Sequence, residues 1–391
     1  MFRGSTEKTK GVNQIMTEKE KVSERSGITK RQSAMLQGIA VLMLIYHHFF
    51  NDLSVYFGDA IVFGWPGRIM QFAWFCKICV GIFAFVTGYG MSILLDQKKG
   101  PALAICLRRI AFFMIRYWIV FLLFMGCMFS MGRVTFKPKE FLENFFCITN
   151  TYNGAFWYVQ QYVIMLLFLA IAEALWRFLE EILTVDRKPQ VLGKHWLDAV
   201  ERILALILVI AAIGVAVAVP FFWQAKSAMY KFLDMIRIAF VLVCFAGYFM
   251  AKFHVYDRLF QWLSSWPYLL RCLSGAALIT ATSIVRMYLA DSPAYAKHDC
   301  ILVPVFVMGI LLVIRSEGLL GKLLERLGGI SLYVWLTHLF VFDLTKPVIL
   351  HFVHSHLPFY VIETGLCILI GSTCLWTERA VRSFPRYFIK K

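Results

Sequence analysis

Two stretches of this chain hold histidine at spacings that a helix turns into a polar stripe. In Gln37-Gly38-Ile39-Ala40-Val41-Leu42-Met43-Leu44-Ile45-Tyr46-His47-His48, the first glutamine and the last histidine are eleven residues apart. At about 100° per residue they return to one face, about 16 Å apart along the axis. His48 there is a candidate general base, since imidazole titrates near neutrality and can take a proton from a hydroxyl; a packing histidine bonded to a neighbouring helix carbonyl is the alternative. His47 points about 100° away, so only one of the pair is expected on that stripe. A second stretch, Gly329-Ile330-Ser331-Leu332-Tyr333-Val334-Trp335-Leu336-Thr337-His338, puts Ser331, Trp335 and His338 at i, i+4 and i+7, which are neighbours on one face. A serine, an indole and an imidazole converging inward suit a polar cavity, and interhelical hydrogen bonding suits them as well.

Charged residues inside apolar runs are the next candidates, because an ionisable group far from the membrane interface is costly. Arg116 lies two turns beyond Arg108 and Arg109, so a basic stripe could climb one helix and receive an anionic ligand. Membrane anchoring explains Arg108 and Arg109 equally well. Lys77 heads a face carrying Gly81, Ala84 and Gly88; the lysine is expected to snorkel and the small residues to admit another helix. Trp157-Tyr158 reads as an interfacial aromatic pair. Cys76-Lys77-Ile78-Cys79 has no partner pair for redox or zinc chemistry, and His351, His354 and His356 read as solvated rather than metal-binding. No phosphate loop, GxSxG or HExxH sequence is present, so neither ATP-driven nor zinc chemistry is indicated.

These residues sit in a chain of 391 with 60% hydrophobic and only 16% charged residues. A soluble domain carries about 25% charged residues, so the expected class is all-α, a polytopic membrane helix bundle. Ten spans are expected, at roughly 33–53, 72–95, 103–130, 155–178, 200–223, 236–252, 267–290, 299–315, 328–350 and 358–377. The net charge of +16 records orientation rather than nucleic-acid binding: with both termini cytoplasmic, 28 of the 40 Lys and Arg fall inside and 11 outside, as the positive-inside rule requires. Residues 1–32 read as a disordered polar tail, 33–378 as the transmembrane domain and 379–391 as a short basic tail. The ten cysteines suit buried thiols rather than a disulfide scaffold.

Taken in order, three stretches resemble acyltransferase family 3, the bacterial membrane O-acyltransferases. Gln37 to His48 looks like the family's motif of a basic residue, ten residues and a histidine. Gly81-Ile82-Phe83-Ala84-Phe85-Val86-Thr87-Gly88-Tyr89-Gly90 is similar to its Phe-rich "SGY" stretch, and Gly329 to His338 to its late "ISLYLYLIH" stretch; Trp157 fits its fourth-span tryptophan. Gln37 departs from the family, which usually has Arg or Lys there; an amide can hydrogen-bond a carbonyl or phosphate but brings no charge.

The resemblance implies transfer of an acyl group, usually acetyl, from cytoplasmic acyl-CoA to a hydroxyl of a cell-envelope glycan or related acceptor. The co-substrate would be acetyl-CoA, with no metal, in the bacterial cytoplasmic membrane. On that reading His48 is the catalytic base or a transient acyl carrier and His338 assists it. Gln37, Arg108, Arg109 and Arg116 serve the donor, while Trp157, Tyr158, Ser331 and Trp335 line the substrate site. The competing classes are a transporter or flippase, with the polar stripe as its permeation path, and an inactive family member suggested by Gln37.

Overall fold

The computed structural model describes residues 27–57, 65–98, 100–185, 235–289 and 298–388. Their helices of eight or more residues are, in order, α1 (Lys30–Phe50), α2 (Pro66–Cys76), α3 (Ile78–Gln97), α4 (Ala102–Ser130), α5 (Pro138–Phe145), α6 (Trp157–Val185), α7 (Met235–Lys252), α8 (Val255–Leu263), α9 (Tyr268–Leu289), α10 (Asp299–Val313), α11 (Leu319–Phe352) and α12 (His356–Phe388). No strand occurs among the described residues.

Among the described residues, seven helical stretches are long and apolar enough to cross a bilayer, and eight if α7 and α8, bent by 63°, form one broken span. The expected span at 200–223 lies outside the described residues, and each of the others coincides with a helix. Two differ from expectation in a way that matters. The second span runs from Pro66 to Gln97 and breaks at Lys77. Helix α10 has only 15 residues, about 22 Å, short of the roughly 30 Å of a hydrocarbon core.

The ends of the transmembrane domain also move. Thr29 and Gln32 form a reciprocal capping box that starts α1 at Lys30, satisfying helix-end donors, and the Ile28 amide donates to the Tyr89 hydroxyl at 3.0 Å. Residues 28–32 thus belong to the folded unit rather than to the tail. At the other terminus α12 continues to Phe388, past the expected boundary at 378.

Two seams hold the bundle. Helix α1 packs most extensively on α11, and α3 on α7. Each contact is made possible by glycine: a methyl group at Gly38 would strike the Leu324 carbonyl and one at Gly328 the Ala34 carbonyl, while at the second seam Gly88 meets Cys244 and Gly247 meets Phe85 in the same way. Backbones that approach this closely gain dispersion contacts where apolar burial gains nothing, lipid being as apolar as leucine. The face of α1 turned away from the cavity buries Val41, Ile45 and Phe49, with Phe49 stacked on Phe342 of α11 at 4.5 Å between ring centres.

Ion pairs fix which helix ends lie together. Arg31 pairs with Glu325 and Lys252 with Asp96, so the start of α1, the end of α3, the end of α7 and the start of α11 share one end of the bundle. The ends of α1, α9 and α11 and the start of α10 lie at the other.

Candidate functional site

Between α1, α3, α4, α6 and α11 lies a cavity of about 1230 Å³. Helix α1 contributes Lys30, Ser33, Gln37, Leu44, His47 and His48 to its wall, and its C-cap Asn51 adds to it. From Lys30 to Asn51 is 21 residues, about 32 Å, so the cavity runs along nearly the whole thickness of a hydrocarbon core.

The wall changes character along this length. At the Lys30 end it is lined by Lys30, Ser33 and Gln97. Arg109, Arg116, Tyr162, Ser331 and Trp335 follow. At the far end it holds His47, His48, Asn51, Lys77, Trp157 and Tyr158.

Gln37 and His48 share the cavity wall as their spacing requires. So does His47, against the expectation that only one of the pair could face inward. The cavity wall includes Lys77 at the break between α2 and α3, and the His47 Nδ1 reaches the Ala73 carbonyl at 2.8 Å. A carbonyl only accepts, so that nitrogen carries the proton. His338 is fully buried and its ring lies 4.9 Å from that of His48. Its Nδ1 donates to the Trp335 carbonyl at 2.6 Å, which leaves the lone pair on Nε2, a buried atom without a hydrogen-bond partner.

Ser331 lines the cavity but donates its hydroxyl to Gly328 of its own helix at 2.8 Å. Trp335 meets Tyr158 edge to face at 5.6 Å. Trp157 packs on Tyr158 at 5.6 Å and on Phe240 at 5.7 Å.

The three arginines separate. Arg109 and Arg116 line the cavity. Arg108 is exposed and absent from the cavity wall, as expected of an adjacent helical position turned by about 100°. Arg116 donates from Nε to Glu378 Oε1 at 3.0 Å, and the other oxygen of Glu378 accepts the Tyr333 hydroxyl. Part of the charge on the anticipated basic stripe is therefore balanced from within the protein.

Four residues of this site escape the sequence patterns. Lys30 sits in what reads as a tail. Asn51 lies just past the end of the first stripe. Glu378 falls one residue beyond the apolar run of the last span, and its one signal is an acid at an otherwise basic end. Lys77 reads as a snorkelling residue, yet it lines the cavity with its Nζ 5.1 Å from the centre of the Trp74 ring.

Three buried polar atoms at the His48 end, Asn51 Oδ1, the Tyr158 hydroxyl and His338 Nε2, have no hydrogen-bond partner. Native interiors rarely leave such atoms unmet, and where they do a ligand or water is the usual explanation. Among the described residues no group of three or more His, Cys, Asp or Glu side chains could hold a metal ion.

The helix bundle thus encloses a polar cavity with Lys30, Arg109 and Arg116 towards one end and His47, His48 and Lys77 at the other. The family model for the acyltransferase domain of acyltransferase family 3 matches residues 34–377. The chain belongs to that family. No curated protein and no solved structure matches it. As a member of acyltransferase family 3, this multi-pass protein is a membrane acyltransferase, and the matched segment contains every residue of the cavity wall named above except Lys30 and Ser33.

Proposed function

We propose that this acyltransferase moves an acyl group, acetyl in the first instance, from acyl-CoA on the cytoplasmic side to a hydroxyl of a cell-envelope glycan or related acceptor approaching from outside. The observation that carries this reading is the cavity itself: it joins the end where Lys30 stands to a half-buried His48, about 27 Å further along α1, beside the fully buried His338. A basic mouth suits the phosphates of CoA, and a long polar passage suits its pantetheine arm. With the Lys30 end taken as cytoplasmic, the enzyme sits in a bacterial cytoplasmic membrane.

The residues take distinct roles. Lys30 and Arg109 attract the CoA phosphates; Arg108, turned out of the cavity, does not. Gln37 offers its amide to a pantetheine carbonyl, a contact that needs no charge. His48 removes the proton of the acceptor hydroxyl as that oxygen attacks the thioester carbon. His338, its ring 4.9 Å from that of His48, assists it by offering the lone pair of Nε2, which meets no protein group, to a hydroxyl of the bound acceptor. Trp157, Tyr158, Ser331 and Trp335 form the walls that exclude water. A thioester is already activated, so positioning and proton removal are sufficient without a metal.

The test is release of CoA thiol from acetyl-CoA by detergent-purified protein, with crude envelope glycans as acceptor, in wild type beside His48→Ala. Turnover that depends on His48 is expected. A folded wild type that neither turns over nor binds acetyl-CoA overturns the reading and leaves a transporter as the better account of the cavity.

A further inference from the structure

The break at Lys77 is built with more care than a helix kink needs. Three of the last four carbonyls of α2 are each met by a side chain: Ala73 by His47 at 2.8 Å, and Trp74 and Phe75 by Arg286 Nη1 at 3.2 and 3.0 Å. Arg286 is in turn held by Asp299 in a two-pronged pair at 2.9 and 3.0 Å, with both side chains all but inaccessible. Two charges buried in a membrane domain are expensive unless the pairing is this complete. What the clamp achieves is a fixed turn that projects Lys77 into the cavity. The face of Trp74 favours an ammonium there, while the ends of the α2 and α3 dipoles, of opposite sign, meet at Lys77 and offset one another.

The depth of Lys77 is set by α3, whose far end at Gln97 lies with the Lys30 end of the bundle. Twenty residues of helix put Lys77 about 30 Å from Gln97, against about 27 Å from Lys30 to His48. Base and cation therefore stand at one level on two walls of the same cavity. The other cations of that wall, Lys30, Arg109 and Arg116, lie nearer the opposite end, and Arg116 is engaged by Glu378.

We infer that Lys77 is a catalytic residue that stabilises the oxyanion of the acyl-transfer step, and that Arg286 and Asp299 are its positioning residues. The inference rests on the acyltransferase chemistry proposed above. The acceptor oxygen bonds to the thioester carbon while His48 takes its proton; the carbonyl oxygen becomes the anion that the Lys77 ammonium meets. Collapse of that intermediate breaks the carbon–sulfur bond, and the proton passes from His48 to the CoA thiolate. The products are the acylated acceptor and CoA thiol. Electrostatic stabilisation aimed at developing charge is commonly the largest contribution to such steps.

The experiment compares wild type, His48→Ala, Lys77→Met, Lys77→Gln and Lys77→Arg in detergent, with binding of CoA and thermal unfolding recorded for each. Wild-type turnover lost in His48→Ala sustains the underlying reading; an inert, folded wild type overturns that reading before Lys77 is in question. Given turnover, the uncharged Lys77 variants are expected to lose about 100-fold or more in kcat, with KM for acetyl-CoA and acceptor within about threefold, and Lys77→Arg to recover part of it. Fluoroacetyl-CoA supplies the readout that a merely structural lysine would not move. Its tetrahedral anion is stabilised by fluorine, so the defect of Lys77→Gln or Lys77→Met narrows with that donor. Turnover within threefold of wild type in a folded uncharged variant, a loss confined to KM for the acceptor, or a defect equal for both donors would each overturn the assignment.

Discussion

At the end of the bundle where α1 begins, the buried Glu173 is fully engaged by the protein. Glu173 takes Arg177 at 2.7 Å, Lys252 at 3.3 Å and the Tyr248 hydroxyl, and Arg177 also caps the carbonyls of Leu95 and Gly100. That cluster ties α3, α6 and α7 together. At the far end of the cavity the reverse holds: Asn51 Oδ1, the Tyr158 hydroxyl and His338 Nε2 are buried and unmet. Polar groups that answer one another rigidify a fold, whereas polar groups left unanswered around a cavity await a ligand. The far end has its own engaged pair, Arg286 and Asp299, but it lies behind the cavity wall and supports it.

This contrast predicts where substitution costs activity and where it costs stability. His48→Ala should show the largest effect, a loss of about 10²–10⁴ in acetyl-CoA turnover, the usual contribution of a general base, while thermal unfolding in detergent stays close to wild type. Equal loss of both would mean that the unmet end is structural after all.

Next comes Arg286→Met, which leaves Asp299 as an unpaired buried carboxylate and should cost about 3–5 kcal/mol in unfolding free energy. Lys252→Met should cost less than half of that, because Glu173 keeps Arg177 and Tyr248 and Asp96 is half exposed. Unfolding of the two variants side by side checks the difference.

A smaller effect separates two adjacent arginines. Arg109→Ala should raise KM for acetyl-CoA several-fold, by an amount that shrinks as salt is added, and Arg108→Ala should leave it unchanged; steady-state kinetics at two ionic strengths decides. The smallest effect belongs to Arg31→Ala. Its pair with Glu325 is exposed on both sides, and such pairs contribute less than about 1 kcal/mol. A larger loss of stability would show that the Lys30 end depends on more than the Glu173 cluster.

Much of the site is legible in the chain because helical periodicity is local. Gln37 and His48 share a wall, and Ser331, Trp335 and His338 share a stripe, since 3.6 residues per turn is dictated by backbone geometry whatever surrounds the helix. The length and apolarity of the spans follow from the bilayer in the same way. The small-residue face of α3 also announced a close neighbour, which proved to be α7 across Gly88 and Gly247.

What periodicity cannot supply is which neighbour each face meets. Arg108 and Arg109 are indistinguishable as sequence; packing turns one into the cavity and the other out of it. Lys77 reads as a snorkelling residue until the α2 carbonyls and Arg286, more than two hundred residues apart along the chain, come together to break the helix beneath it. Glu378 gains its meaning only by meeting Arg116. From its residues alone this protein determined its class, its spans and the two polar stripes, all properties of short segments in a given solvent. Only the tertiary structure decided that the stripes enclose one cavity, which charges are answered within it and which are left facing it, because those depend on contacts between distant segments that no local pattern encodes.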